Sequence, residues 1–202
     1  ASKDIPVSML TTHINSYYEK FGFKTILRTT ARLVSVKGAE HNGIRVFNHA
    51  IDFNNVVNLY SEFNNRKTGT IVRDEKYWLS QFEFSGENKD LFLVYEQDKE
   101  LKGFIRANKK ENYVEIIEYA FKGADKAVLT KLIENLSSIT GSDEFELLLT
   151  KKEEANLDPK FSYSLKDEKD FMVCFLDEKL NPGIKNELIS DRNLNFWQSD
   201  FF

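Results

Sequence analysis

The 202-residue chain contains little cysteine and little proline. Its single cysteine, Cys174, excludes a disulfide within the chain, and the apolar residues around it predict a buried thiol. Three prolines stand against 17 phenylalanines and 8 tyrosines. Because aromatic side chains supply large buried areas, this balance argues against disorder and predicts a folded protein with short loops.

Long apolar runs are also missing. No run approaches the roughly 20 residues that a membrane-spanning helix needs, and the N-terminal residues lack the charged and apolar pattern of a secretory leader. We therefore expect no membrane partner and a reducing, cytoplasmic compartment.

Common metal-binding and hydrolase motifs are lacking. The three histidines, His13, His41 and His49, have no partner at metal-ligand spacing. The chain has no Cys-x-x-Cys, P-loop or Gly-x-Ser-x-Gly motif. A metal site, nucleotide hydrolysis and serine hydrolase chemistry therefore have no support.

Positive charge is not concentrated in any part of the chain. Lysines and arginines number 28 against 32 aspartates and glutamates, the formal net charge is -4, and the two signs are interspersed. Nucleic-acid-binding proteins usually gather positive charge on one face. We therefore expect no nucleic-acid partner.

Apolar periodicity predicts an α+β protein. The pattern over residues 91–121 indicates three strands with short polar turns, and hence an antiparallel meander. Asp125 can cap the helix that follows. The predicted elements are a helix over residues 8–21, strands over 23–36 and 44–47, helices beginning at Asp52 and Asp74, strands over 91–95, 101–106 and 113–121, a helix from Asp125 to Gly141, and a strand over 145–149.

The C-terminal part of the chain carries weaker signals. Residues 151–160 are highly charged and predict a connection, residues 171–176 predict a strand, and residues 181–183 predict a turn. Residues 195–202 form an aromatic tail. Because a fully exposed tail of this kind would be unusual, we expect it to dock on the body of the protein.

Three segments carry a resemblance to a known family. Residues 17–23, Tyr-Tyr-Glu-Lys-Phe-Gly-Phe, resemble the closing segment of a GNAT N-acetyltransferase domain. The β-β-β-α-β order of residues 91–149 is similar to the central body of that fold. Residues 69–78 are similar to the Gly, Arg and Trp pattern near the start of the second domain of tandem, Eis-type acetyltransferases. The resemblance implies a mixed, mostly antiparallel sheet flanked by helices.

The resemblance also implies a division of the chain. Residues 1–36 would be the C-terminal end of a first GNAT-like domain, residues 37–150 a degenerate second one, and residues 151–202 an extension that packs back on the body. The chain would then be the C-terminal portion of an acetyl-CoA-dependent N-acetyltransferase whose main cofactor loop lies upstream of Ala1. Alone, it would be weakly active or inactive.

Candidate catalytic residues follow from the resemblance and from strand alternation. Tyr18 matches the tyrosine that acts as general acid toward the thiolate of coenzyme A, although its helical spacing also suits a core residue. Phe202 would supply a terminal carboxylate as base, or would merely pack. Glu118 is a further candidate base, because alternation places it on an apolar face opposite to Glu115, where burial would raise its pKa. The alternative is that Glu118 is a structural carboxylate whose hydrogen bonds are satisfied within the protein.

The expected cofactor loop of the second domain departs from the family pattern. A GNAT loop has Arg or Gln, two residues, Gly, one residue, and Gly or Ala, so that its amides face a pyrophosphate. Residues 120–125 lack the leading Arg or Gln, and Asp125 places negative charge where phosphate would lie. We therefore expect this domain not to bind coenzyme A.

Two functions stay open at this stage. The first is acyl transfer from acetyl-CoA to an amine, which could belong to a small molecule or to a protein. The second is a non-catalytic scaffold, a dimerisation module of a homo-oligomer or a substrate-binding module. Its interaction patch would consist of Phe196, Trp197, Phe201 and Phe202.

Overall fold

The computed structural model describes residues 6–65, 67–84, 89–123, 125–155, 157–189 and 195–200. Short 3₁₀ helices lie at Lys89–Leu91 and Gln198–Asp200. The other elements, in chain order, are β1 (Val7–Thr11), α1 (Asn15–Glu19), β2 (Lys24–Val34), β3 (Ile44–Val46), α2 (His49–Asn64), α3 (Glu75–Phe84), β4 (Phe92–Gln97), β5 (Glu100–Lys109), β6 (Val114–Phe121), α4 (Lys126–Thr140), β7 (Phe145–Leu148), α5 (Lys151–Glu154), β8 (Ser162–Phe175) and α6 (Pro182–Ile189).

The described strands form one sheet in the order β1-β8-β2-β7-β6-β5-β4-β3. Neighbouring strands are antiparallel except for β6 and β7, which run parallel. The predicted α+β class, with a mixed and mostly antiparallel sheet flanked by helices, is confirmed. The sheet includes strands from all three predicted segments, and the division at residues 36 and 150 stays a prediction.

The parallel pair leaves a cleft in the sheet. β6 and β7 are paired only where residues 114–116 lie beside residues 145–147. Beyond Ile116, β6 continues to Phe121 without β7 as a neighbour. We call the space between the two strands beyond this point the β6/β7 cleft.

Helix α4 forms where its sequence predicts it. The Asp125 carboxylate accepts a hydrogen bond from the Ala127 amide at 3.0 Å, and Gly141 ends the helix in the left-handed conformation. Its apolar stripe is buried, including Leu129, Leu132 and Leu136. The predicted antiparallel meander is also present as β4, β5 and β6.

The predicted helix over residues 8–21 is wrong in its first half. Residues Val7–Thr11 form β1, which pairs antiparallel with Phe171–Phe175 of β8, and only Asn15–Glu19 are helical. Helical spacing of apolar residues is a weak signal over so few residues, and strand pairing with a distant segment overrides it.

Other predicted boundaries also differ. Helix α2 begins at His49 and is capped by Asn48, whose side chain accepts from the Ala50 amide, while Asp52 is buried in an ion pair with Arg45. Strand β8 is longer than the predicted strand 171–176. Pro182, expected in a turn, is the first residue of α6, a position that suits proline because its missing amide proton has no helical partner.

Two further expectations from composition concern the single cysteine and membrane-spanning helices. Cys174 is buried, as predicted. Among the described helices, none has both the length and the apolarity that crossing a bilayer requires.

Two glycines with positive φ provide a matched test of the fold. A Cβ on Gly43 would lie 2.1 Å from the carbonyl oxygen of Glu96, whereas nothing lies within 4 Å of a Cβ on Gly141. We expect Gly141→Ala to cost about 1 kcal/mol through backbone strain alone, and Gly43→Ala at least about 2 kcal/mol more through the clash. Urea denaturation measures both, and equal losses would contradict the close approach at Gly43.

Candidate functional site

Side chains of the chain itself fill the β6/β7 cleft. Tyr119 on β6 is buried, and its hydroxyl donates a hydrogen bond to the carbonyl oxygen of Leu148 at 3.1 Å. Trp197 is fully buried and packs edge-on against the Tyr119 ring with centroids 4.9 Å apart. Burial raises the pKa of Tyr119, and the Glu153 carboxylate adds to this rise, so the phenol stays neutral.

An ion pair closes one side of the cleft. Lys67 and Glu153 are in direct contact, and both side chains are largely buried. The ammonium group of Lys67 also lies over the Phe63 ring, 3.2 Å from its centroid. Burial lowers the pKa of Lys67 while Glu153 opposes that change. Glu153 is held in turn by Thr150, whose hydroxyl donates to it at 3.1 Å.

The N-terminus of α4 is occupied by its own cap. An unoccupied helix N-terminus is suited to binding an anion, because its first amides point outward. Here the carboxylate of Asp125 already accepts from the Ala127 amide and carries a negative charge at this position. The neighbouring Lys122 is paired with Glu100. The amide of Ala127 at this helix N-terminus therefore already has a partner within the chain.

Beside the cleft lies a buried charge cluster, defined as Arg73, Arg106, Glu118 and Asp200. Glu118 accepts from Arg73 at 2.8 Å with one oxygen and from Arg106 at 2.5 Å with the other. Asp200 accepts from Arg73 at 2.8 and 3.0 Å. The side chains of all four are completely shielded from solvent or nearly so. Two guanidinium groups thus balance two carboxylates.

A bulge in β6 sets the direction of Glu118. The pairing with β5 shifts by one residue between Ile116 and Glu118, which leaves Ile117 as the extra residue. The partners of Glu115 and Glu118 on β5 are two residues apart, so both glutamates lie on the same face of the sheet. The expectation that they lie on opposite faces, based on simple alternation, is wrong.

Of the three candidate catalytic residues, the structure describes Glu118 and Tyr18, and it places these two on different elements, β6 and α1. Glu118 accepts hydrogen bonds from Arg73 and Arg106 of the cluster and a third from Ser199 at 3.1 Å, and this geometry favours the structural alternative over a role as base. Tyr18 lies partly buried on α1, near the outer edge of the sheet, with its ring against Tyr17 and Phe23. Phe202 lies outside the described residues.

A polar cavity of about 190 Å³ opens between β2, β6, β7 and β8. Four carboxylates line it, those of Glu115, Glu146, Glu168 and Asp170, together with Arg28. Arg28 lies 2.8 Å from Glu168 and 3.6 Å from Asp170. Burial raises the pKa of Glu146, and the negative charge of the nearby Glu168 adds to the rise. Within the described residues, no group of three or more His, Cys, Asp or Glu side chains is arranged to hold a metal ion.

Most residues around the cleft were missed by sequence reasoning. One usable signal was Arg106, which interrupts an apolar strand and therefore requires a buried acidic partner on a neighbouring strand. Glu118 on β6 meets that requirement. Lys67, Glu153 and Asp200 lie in charged or aromatic segments of ordinary appearance, and no local pattern identifies them.

The titration of Asp200 provides a test of the charge cluster. Burial raises the pKa of Asp200 from 3.8 to about 6, with Glu118 adding to the rise and Arg73 opposing it. Because the raised pKa belongs to the folded state, its stabilising contribution is complete below about pH 4 and is lost as the pH rises through about 6. We expect the unfolding free energy of the wild type, relative to Asp200→Asn, to fall by about 2 kcal/mol between pH 4.5 and 7.

Urea denaturation at a series of pH values measures this difference. The exposed Glu111 provides a matched control, since Glu111→Gln should follow the wild type across the same range. Parallel pH curves for the wild type and Asp200→Asn would contradict the raised pKa.

Comparison with known proteins adds information on the fold. No family model matches the sequence, and no curated protein matches it. Solved structures do match. A probable N-acyltransferase from Enterococcus faecalis V583 superposes with a TM-score of 0.65 at 15% identity, covering 85% of this chain and 45% of its own.

Two further structures agree with this match. A GCN5-related N-acetyltransferase from Kribbella flavida gives a TM-score of 0.61 at 14% identity, with 86% of this chain and 44% of its own covered. Eis1 from Mycobacterium abscessus gives a TM-score of 0.53 at 14% identity, with 85% of this chain and 47% of its own covered. This chain therefore spans less than half the length of these three proteins, and it has the fold of the GCN5-related N-acetyltransferases, the GNAT fold.

Proposed function

We propose that this chain is a GNAT-fold half of an amine N-acyltransferase, and that it does not itself hold the acyl-CoA donor. The observation that carries the proposal is the occupied β6/β7 cleft. Tyr119 and Trp197 fill the space between the diverging strands, and Asp125 caps the helix whose amides would otherwise face a pyrophosphate.

The reaction class is supported by the fold and by the names of the structural neighbours. These include a probable N-acyltransferase and a GCN5-related N-acetyltransferase. Acyl transfer from a thioester to an amine needs a base for the amine proton, an acid for the departing thiolate and a pocket for the donor. In this proposal the donor is an acyl-CoA, with acetyl-CoA as the one that the sequence resemblance suggests, and the acceptor is an amine.

A complete enzyme would then need a second half that holds the donor. The proposal assigns residues 1–36 to the end of that half, residues 37–150 to the closed GNAT-like domain and residues 151–202 to the extension. Tyr18 would act as general acid toward the thiolate, and the terminal carboxylate of Phe202 as base. The partly buried position of Tyr18 on a short surface helix suits a residue that completes a site in another part of the protein.

Calorimetric titration of the chain with acetyl-CoA tests the closed cleft. We expect no saturable heat up to about 1 mM acetyl-CoA, because Tyr119 and Trp197 pack against each other in the cleft and the Asp125 carboxylate already binds the Ala127 amide. A CoA-binding acetyltransferase in the same buffer serves as positive control. A dissociation constant below about 100 μM would contradict the proposal.

Adjacent tyrosines allow a matched test of the general acid in the complete enzyme. Tyr18→Phe removes only the hydroxyl, and we expect kcat to fall about 100-fold with little change in KM, because the proton is donated in the transition state. Tyr17→Phe should leave kcat within a factor of about two. Steady-state kinetics with acetyl-CoA and an amine measures both, and equal activities of the two variants would remove Tyr18 from the mechanism.

A further inference from the structure

The polar cavity of about 190 Å³ between β2, β6, β7 and β8 holds more negative than positive charge. Its lining includes four carboxylates but one guanidinium, that of Arg28. The carboxylates belong to Glu115, Glu146, Glu168 and Asp170, and their side chains are largely shielded from solvent. Because little water screens charges in such a space, carboxylates that share it repel one another. We call this space the acidic cavity.

Two of the carboxylates lie side by side across the parallel strands. Glu115 of β6 and Glu146 of β7 are register partners, and both line the acidic cavity. Like charges opposite each other in a sheet are destabilising. Burial raises the pKa of Glu146, and the charges of Glu168 and Glu115 add to the rise. A cation placed between the two strands would relieve this repulsion.

The cations of the chain compensate this pair incompletely. Arg32 lies 3.7 Å from Glu146 but only 2.6 Å from the neighbouring Glu144, which holds it more closely. Lys110 and Lys166 approach carboxylates of the cavity at 3.0 and 3.4 Å, and both side chains are exposed. Water and salt weaken such exposed pairs. The interior of the acidic cavity therefore keeps its negative character.

On the β8 side of the acidic cavity, a buried acceptor has no donor. Phe171 and Glu168 are three residues apart on β8, whereas their partners Ile26 and Arg28 are two apart on β2. Asp170 lies in the resulting bulge, and bulges redirect side chains. Its Oδ2 lies 3.6 Å from Arg28, but its Oδ1 is buried and has no hydrogen-bond partner among the described residues. Such an acceptor favours a ligand that brings N–H groups.

Thr30 adds a second polar group without a partner. It lies beside Leu148 in the sheet and lines the acidic cavity. Only 9% of Thr30 is exposed, and no described residue forms a hydrogen bond with its hydroxyl. A hydroxyl oxygen accepts hydrogen bonds from N–H donors, and the Leu148 side chain can contact a hydrocarbon chain. The lining is thus suited to a ligand with both ammonium and alkyl parts.

The size and the acceptors of the acidic cavity favour an organic ammonium over a metal ion. An ammonium group donates three hydrogen bonds and accepts none, which matches a lining of carboxylate and hydroxyl oxygens. At ~30 Å³ for each water-sized group, the volume corresponds to about six non-hydrogen atoms, the size of a four-carbon diamine. The carboxylates, by contrast, are not arranged as metal ligands anywhere in the described ranges.

We propose that the acidic cavity binds a small linear aliphatic diamine, with one ammonium group between Glu115 and Glu146 and the other beside Asp170. The hydrocarbon chain passes over Leu148, and the Thr30 hydroxyl accepts a hydrogen bond from the bound amine. This inference does not rest on the proposed acyl-transfer function, because it concerns equilibrium binding by this chain alone.

Calorimetric titration of the full chain with 1,4-diaminobutane at low salt tests the proposal. We expect a dissociation constant of about 1 mM or lower, and no saturable heat with 1,4-butanediol, which has the same length without the charges. Magnesium chloride should bind at least about tenfold more weakly than the diamine. Glu146→Gln keeps the shape of the side chain and should weaken diamine binding at least about tenfold. The exposed Glu111 gives the matched control, Glu111→Gln, which should bind as the wild type does.

Thermal denaturation separates binding from folding. Without ligand, Glu146→Gln should be at least as stable as the wild type because it relieves the repulsion with Glu115, and the diamine should raise the Tm of the wild type only. Equal diamine affinities of the two proteins would overturn the proposal. So would equal affinities for the diamine and Mg²⁺, since the cavity would then be an unspecific acidic surface. If Glu146→Gln does not fold, Thr30→Val replaces it, and an unchanged affinity of that variant would also overturn the proposal.

Discussion

The pairing of Glu118 with Arg73 and Arg106 is the interaction on which the rest of the structure depends. Removing ions from water costs several kcal/mol each, and only close geometry with further hydrogen bonds offsets that cost. Here one carboxylate on β6 is held by guanidinium groups from β5 and from the segment before α3. Because these contacts are directional, they fix the three elements relative to one another.

Charge balance and closure of the cleft are coupled through two adjacent residues. Glu118 points into the charge cluster and Tyr119 into the β6/β7 cleft. The segment of residues 195–200 contacts both, since Trp197 packs on Tyr119 and Ser199 donates to Glu118. A change that loosens the segment therefore affects both the electrostatics of the cluster and the space in the cleft. The GNAT fold is preserved here while the place where its parallel strands diverge is used for internal packing.

Features with local causes were predictable, and features with distant causes were not. Asp125 and Gly141 delimit α4 through contacts within a few residues, and the meander needs only short turns. By contrast, β1 exists because of β8, and Arg73 meets Asp200 across 127 positions of sequence. The bulge at Ile117 has no signature in a single sequence, yet it decides which face Glu118 occupies. The fold class thus followed from periodicity and resemblance, whereas the contents of the candidate site required the structure.

The position of β2 in the sheet has a consequence for how the chain folds during synthesis. β2 lies between β7 and β8, so that Thr30 has Leu148 on one side and Lys166 on the other. Both partner strands leave the ribosome long after β2, so both edges of β2 stay unpaired until then. Pairings this distant form slowly, and unpaired strand edges invite association with other chains. The nascent chain is therefore most exposed to aggregation in the interval before β8 emerges.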